Sequence, residues 1–191
     1  MPLPRAFYLR DAPDVARDLL GCVIVSRLGR TLTAGRIVET EAYLGPEDAA
    51  SHAAFRPSSR ALFYGNGGHA YVFRIYGVHF CLNAITGPHG TPGCVLIRAL
   101  EPIAGLAAMA RRRQVRADSA ALTNGPGKLT QALCITAQQN GADLTAGALV
   151  IAPPDTPREF EIAAGTRVGI TRAADLPLRF RIAGHRYVSR G

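Results

Sequence analysis

The feature that most limits the fold is a series of strand-like runs that outnumber the helical ones. CVIVSRLGRTLTAGRIVETEAY (22–43) reads as two strands around Leu28-Gly29-Arg30. HAYVFRIYGVHFCLNAI (69–85) reads as two more, meeting near Tyr76-Gly77. CVLIRAL (94–100) is a short apolar strand with one Arg inside it, and ALVIAPP, RVGIT and LRFRIAG read as short strands toward the C-terminus. Strands outnumber helices and follow one another directly, so the expected class is α+β with a mostly antiparallel, curved sheet and flanking helices.

Three segments read as helices. DAPDVARDLLG (11–21) has Asp11 as a cap, Pro13 in its first turn and Gly21 at its end. EPIAGLAAMARRRQVR (101–116) places Pro102 in the first turn, an apolar stripe at Ile103, Leu106, Ala107 and Ala110, and an Arg cluster at the C-terminal end. GPGKLTQALCIT (125–136) is a Gly-Pro-Gly turn feeding a third. Residues 44–68 are rich in Gly, Pro, Ser and Ala without a period, a long loop of the kind that often carries function. No repeat or linker divides the 191 residues, so one domain over 1–191 is expected, and 48% hydrophobic content suffices for a core.

Charge narrows the partners. Lys and Arg total 22 against 14 acids, a net charge of +8, and every basic residue but Lys128 is Arg. The planar Arg fork suits phosphate, and a basic single domain points to a polyanion such as nucleic acid. No long apolar run predicts a membrane span, and MPLPRAFYLRDAPD has no apolar core of a signal peptide. Cys22, Cys81, Cys94 and Cys134 are far apart and form no CxxC pair; they are expected as reduced, buried thiols of a cytosolic protein. The five histidines show no HExxH spacing, so no metal site is expected. GPGKL lacks the GxxxxGK[ST] spacing of an NTPase.

Chemistry concentrates in RIVETEAYLG (36–45). Positions 37, 39, 41 and 43 share one strand face, which therefore carries Ile, Glu, Glu and Tyr. Two carboxylates this close repel unless a cation or proton lies between them. One reading pairs them with an Arg or turns them to solvent; the other makes one a general base with a raised pKa beside the aromatic wall of Tyr43. Arg98, flanked by apolar residues, either pairs with a carboxylate or snorkels from an edge strand. If it meets Glu41, it keeps that carboxylate ionised and can hold a water beside it. Tyr71 and Phe73 share a strand face. Tyr76, next to Gly77, is either folded back on its sheet or exposed as a wedge between base pairs. His52 is a binding edge of the long loop or a surface His without a role. RRRQVR (111–116) is a solvated helix end or a DNA-backbone contact.

Four stretches in this order, RIVETEAYLGPED…SHAAF, YVFRIYGVHFCLN, CVLIRALEP and GPGKLTQAL, closely resemble the alkyladenine (3-methyladenine) DNA glycosylases of the mammalian type, over about residues 9–187. The resemblance implies a single α/β domain with a protruding β-hairpin that enters the DNA minor groove. It implies hydrolysis of the N-glycosidic bond of alkylated or deaminated purines (3-methyladenine, 7-methylguanine, hypoxanthine, ethenoadenine) without metal or organic cofactor. By residue, it implies that Glu41 is the general base, and that Arg98 and the carbonyl of Val168 help to hold the water. Tyr43 and His52 line the pocket, Phe73 stacks opposite Tyr43, and Asn83 crowds the exocyclic amine of guanine. Tyr76 fills the gap left by the flipped nucleotide. Arg74 departs from the family, where an aliphatic is usual, and is a candidate DNA-backbone contact; Lys128, read from the GPGKL turn and not from the resemblance, is a phosphate contact or structural. Glu39 inherits no catalytic role and is expected to pair with an Arg or point outward. Position 73 is Phe where the family has Tyr, His79 stands where an aromatic is usual, and the segment between His52 and Tyr71 is short and dissimilar. The implied partner is double-stranded DNA with damaged purines, bound by a monomer in the cytoplasm, at the nucleoid of a prokaryote. The alternative from another class is a basic DNA-binding domain on the same fold without catalysis. A zinc deaminase would need H-x-E and C-x-x-C, which are missing.

Overall fold

The computed structural model describes residues 1–154, 157 and 159–189. Its frame is one sheet of eight strands, all paired antiparallel: β1 (Val23–Ser26), β2 (Thr33–Tyr43), β3 (Ala70–Ile75), β4 (His79–Thr86), β5 (Gly93–Ala104), β6 (Leu149–Ala152), β7 (Ile162–Gly165) and β8 (Arg179–Ile182). The path runs β3-β4-β5-β2-β1-β6, and β8 joins β2 and carries β7. The expected antiparallel α+β architecture is what the chain adopts.

The long strand β2 organises everything else. β5 lies along one of its edges; on the other, β1 pairs with residues 33–36 and β8 with residues 39–41. Alternation then divides its side chains. Val38 and Ala42 are buried in the main core, and the Thr40 hydroxyl donates to the Ala16 carbonyl at 2.8 Å. Ala16 belongs to α2 (Ala12–Asp18), which covers that face with Val15 and, just past the helix end, Leu19. Glu39, Glu41 and Tyr43 point the other way. α2 matches its expected place, with Pro13 in the first turn and Gly21 at φ +85° beyond its end, although the Asp11 side chain makes no cap bond. The first short helix, α1 (Arg5–Tyr8), packs near β4.

Three expectations need correction. Residues 44–68 are not structureless: they contain two single-turn helices, α3 (His52–Phe55) and α4 (Arg60–Phe63), with a 3₁₀ turn over Pro57–Ser59 between them. Single turns are too short to show a period. The helix expected over 101–116 begins later, as α5 (Leu106–Arg113), because β5 continues through Ala104. Pro102 is tolerated in the strand because it faces Gly35 at a shift of register, where the regular ladder is already broken. The buried face of α5 is therefore Ala108 and Met109, and Ile103 is exposed strand. RVGIT (167–171) forms no strand; the strand in that region is β7, just before it. The third helix, α6 (Pro126–Ala132), begins as expected at the Gly-Pro-Gly turn. Arg112 and Arg113 at the end of α5 donate to the carbonyls of Ala132 and of Ala121 and Leu122, so this basic run also ties α5 to α6. The cysteines are free; Cys22, Cys81 and Cys94 are buried and Cys134 is half-buried.

Candidate active site

Between the sheet and the loops after β2 and β7 lies a cavity of about 350 Å³, within the usual range of small-molecule pockets. Its lining includes Tyr43, His52, Phe73, Tyr76, Asn83, Arg98 and Val168. Seven residues singled out from the sequence thus converge from β2, α3, β3, the β3–β4 turn, β4, β5 and the loop after β7. Phe55, Ile75, Cys81, Cys94, Leu96 and Ile170 also line it and carried no signal of their own in the sequence.

Glu41 sits directly behind this lining and is fully buried. Its Oε1 accepts the backbone N–H of Val168 at 2.8 Å and lies 3.2 Å from Nη1 of Arg98. Its Oε2 accepts the Tyr43 hydroxyl at 2.9 Å. All three partners are themselves cavity walls. Burial raises the Glu41 carboxyl above its ordinary pKa; Arg98, the Val168 amide and the Tyr43 hydroxyl pull it back down, and neighbouring Glu39 adds a smaller push upward. Val168 thus meets Glu41 through its amide.

The other strand glutamate is a paired one. Glu39 is also fully buried, and it accepts from Nε of Arg98 at 3.0 Å and Nε of Arg179 at 2.6 Å. Arg98 therefore lies between the two carboxylates, which resolves their repulsion. It does not snorkel: it is buried, and its guanidinium is held ionised by Glu41 and Glu39 against the opposing effect of burial.

The rim is aromatic. His52 Nδ1 lies 2.7 Å from the Tyr71 hydroxyl, and its ring packs against Phe73 with centroids 4.5 Å apart. Burial, helped by Arg56, depresses the His52 pKa to about 4, so its imidazole is neutral at physiological pH. Tyr71 is core and stacks on Phe73 at 5.3 Å. Asn83 is buried, with its amide nitrogen donating to the Tyr71 carbonyl at 3.0 Å. Beneath Tyr43, Arg167 grips Asp48 with two bonds of 2.6 and 2.9 Å, and its guanidinium lies 4.7 Å from the Tyr43 ring centroid. Sequence reasoning passed over this pair; its one signal was an Arg directly before Val168.

The β3–β4 hairpin ends in a tip at Tyr76-Gly77. Tyr76 is 87% exposed with φ +48°, a conformation uncommon for a bulky residue, and Val78 beside it is 71% exposed. Tyr76 is not folded back on its sheet. Arg74 is exposed on the strand face opposite Phe73 and lies over the Phe80 ring, and Lys128 donates to Asn124 Oδ1. Neither lines the cavity. Among the described residues, no His/Cys/Asp/Glu cluster fit for a metal occurs, and no helix is long and apolar enough to cross a membrane.

The chain that builds this buried, propped carboxylate behind an aromatic pocket has known relatives over its whole length. A model of the methylpurine-DNA glycosylase family matches residues 6–186. The chain belongs to the methylpurine-DNA glycosylase family. It is 52% identical over 193 residues to a protein of Methanoculleus marisnigri, with both chains covered in full. It is 47% identical to one of Koribacter versatilis, covering 98% of this chain and 93% of the relative, and 43% identical to one of Carboxydothermus hydrogenoformans, both covered in full. Each of these relatives bears the name "Putative 3-methyladenine DNA glycosylase". As a member, the chain is a monofunctional DNA glycosylase, an enzyme of DNA repair that acts on DNA.

Proposed function

We propose that this glycosylase releases alkylated and deaminated purines, among them 3-methyladenine, 7-methylguanine, hypoxanthine and ethenoadenine, from duplex DNA by flipping the nucleotide into the cavity. The observation that carries this reading is the state of Glu41: buried, raised in pKa, and bonded to three groups that all face the cavity. A base works best with its pKa near the working pH, and burial moves Glu41 in that direction.

In this reading Tyr76 enters the stack and the damaged nucleotide rotates out, at a cost of a few kcal/mol that is least for a damaged or mispaired base. The purine lies between Tyr43 and Phe73, against the neutral His52. The Asn83 amide, fixed by the Tyr71 carbonyl, crowds the exocyclic amine of an unmodified guanine. Glu41, Arg98 and the Val168 carbonyl hold a water aimed at C1′. The water oxygen bonds to C1′, the N-glycosidic bond breaks with its electron pair leaving on the purine, and Glu41 takes the water's proton. Positive charge that develops on the sugar is stabilised by the Glu41 carboxylate before that transfer. Cationic alkylpurines leave readily. Neutral hypoxanthine needs hydrogen bonds or a proton from elsewhere, because His52 is not an imidazolium at neutral pH. Arg74 and Lys128 contact phosphates, a monomer suffices, and the enzyme works where the chromosome lies, in the cytoplasm at the nucleoid.

The test is single-turnover base release from duplexes carrying hypoxanthine, ethenoadenine, 7-methylguanine or an unmodified purine, with wild type and Glu41→Gln. Damaged bases alone are released, and the variant loses about 10²–10⁴-fold in rate while binding DNA as before. Wild-type release by the variant would remove Glu41 from the mechanism.

A further inference from the structure

Glu39 has no role in the proposed chemistry, yet it is more heavily bonded than Glu41. Its Oε1 accepts Nε of Arg98, Nε of Arg179 and the Ser189 hydroxyl, the last at 3.0 Å; its Oε2 accepts the Ser189 amide at 2.7 Å. Ser189 lies beyond β8 in the C-terminal segment, which returns to the sheet at this point. The Ser189 hydroxyl also accepts Nη2 of Arg98 at 3.2 Å, and its carbonyl accepts Nη2 of Arg179 at 3.1 Å. Glu39, Arg98, Arg179 and Ser189 are all buried.

The consequence lies in which nitrogens of Arg98 remain. A guanidinium facing a carboxylate prefers two parallel hydrogen bonds. Here one whole edge of Arg98, Nε and Nη2, is taken by Glu39 and Ser189, and only Nη1 reaches Glu41. Were that edge free, Arg98 could turn and grip both oxygens of Glu41, displacing the Tyr43 hydroxyl and locking the carboxylate into a tight ion pair of low basicity. We infer that Glu39, with Arg179 and Ser189, is a positioning element that holds Arg98 to a single contact with Glu41 and so keeps the catalytic carboxylate basic and aimed at the cavity. The inference rests on the proposed role of Glu41. Arg179 balances the second carboxylate, so two guanidiniums face two carboxylates in the buried cluster.

The charged and titratable groups around Glu41 are Arg98 from β5, Glu39 and Tyr43 from β2, Cys81 from β4, and Arg167 from the loop after β7. Of these, Glu39 pushes the Glu41 carboxyl upward in pKa. Its neutralisation leaves Glu41 more easily ionised, so the acidic limb of the pH–rate profile moves to lower pH.

The experiment is the pH profile of single-turnover release by Glu39→Gln, Glu39→Asp and Ser189→Ala, with DNA affinity and thermal melting measured alongside and Glu41→Gln as reference. Glu39→Gln lowers the plateau by about 10²-fold, the effect of misplacing a reacting group by about 1 Å, and moves the acidic limb to lower pH with DNA affinity unchanged. Glu39→Asp keeps the wild-type limb. Ser189→Ala, which removes one bond to Arg98, lowers the plateau about fivefold, and it carries the test if Glu39→Gln does not fold. A folded Glu39→Gln with the wild-type plateau, or with a lowered plateau and an unmoved limb, overturns the inference, as does a wild-type plateau in Ser189→Ala. Release by Glu41→Gln at the wild-type rate would instead overturn the proposed chemistry, so the two failures are distinguishable.

Discussion

Glu39 and Glu41 stand two residues apart on the same strand, are both fully buried, and both bond to Arg98, but they face different surroundings. Glu39 looks into a closed cluster in which two arginines and both the amide and hydroxyl of Ser189 converge on it. Glu41 looks at the back of a cavity and has one arginine contact, one amide and one hydroxyl. One residue type on one strand face thus supplies a structural anchor and a candidate base. The difference comes from what the neighbouring strands and loops deliver. β5 and β8 flank both glutamates; the C-terminal segment reaches only Glu39, and the loop after β7 reaches only Glu41.

If that contrast is right, stability and chemistry divide unequally between the two positions. Glu39→Leu leaves two buried guanidiniums with Glu41 as the one carboxylate of the cluster and destabilises the protein by about 3–5 kcal/mol, the usual cost of breaking a buried ion pair from one side. Glu41→Gln leaves Arg98 its bonds to Glu39 and Ser189, so it costs about 1 kcal/mol, the net worth of a hydrogen bond. Urea denaturation of the two variants measures both. Equal losses, or the reverse order, would show that Glu41 is as much an anchor as Glu39.

The half of this contrast nearest the cavity was legible in the sequence; of the other half, the pairing of Glu39 with an Arg was one of the two expected outcomes, but its partners beyond Arg98 were not legible. Paired glutamates in a β-branched run, and an Arg inside an apolar strand, announce a buried charge cluster wherever they meet. The sheet was legible because alternation and turn residues are local signals. Arg179 and Ser189 had no such signal, because they reach Glu39 from 140 and 150 residues away, and a contact at that distance leaves no pattern in the chain between. The same holds for Asp48 and Arg167, 119 residues apart beneath Tyr43. Where local signals misled, tertiary context had overridden them. Pro102 marks a helix start when read alone, but a break in register lets it continue β5. RVGIT has strand composition, but the Val168 amide is committed to Glu41 and the Arg167 guanidinium to Asp48, which leaves the segment a loop.

The finest distinction between the two carboxylates is the hydroxyl that each accepts: Glu39 takes that of Ser189 inside the closed cluster, whereas Oε2 of Glu41 takes that of Tyr43, a wall of the cavity. The Tyr43 bond favours the ionised carboxylate and lowers the Glu41 pKa against the larger upward effect of burial. Tyr43→Phe keeps the stacking ring over Arg167 and removes only the hydroxyl. The carboxyl of Glu41 then rises further, and a higher pH is needed to ionise it, so the acidic limb of the single-turnover profile moves to higher pH. That direction is opposite to the one expected for Glu39→Gln. At pH well above the limb Glu41 is ionised in either case, and the variant keeps its plateau to within about tenfold, the worth of one hydrogen bond to a charged group at the low end of its range. A pH series on the two variants therefore reads the electrostatics of Glu41 from both sides. A limb that moves the same way in both would mean that Tyr43 and Glu39 act on Glu41 through a shared structural change, and the contrast between the two glutamates would lose its electrostatic basis.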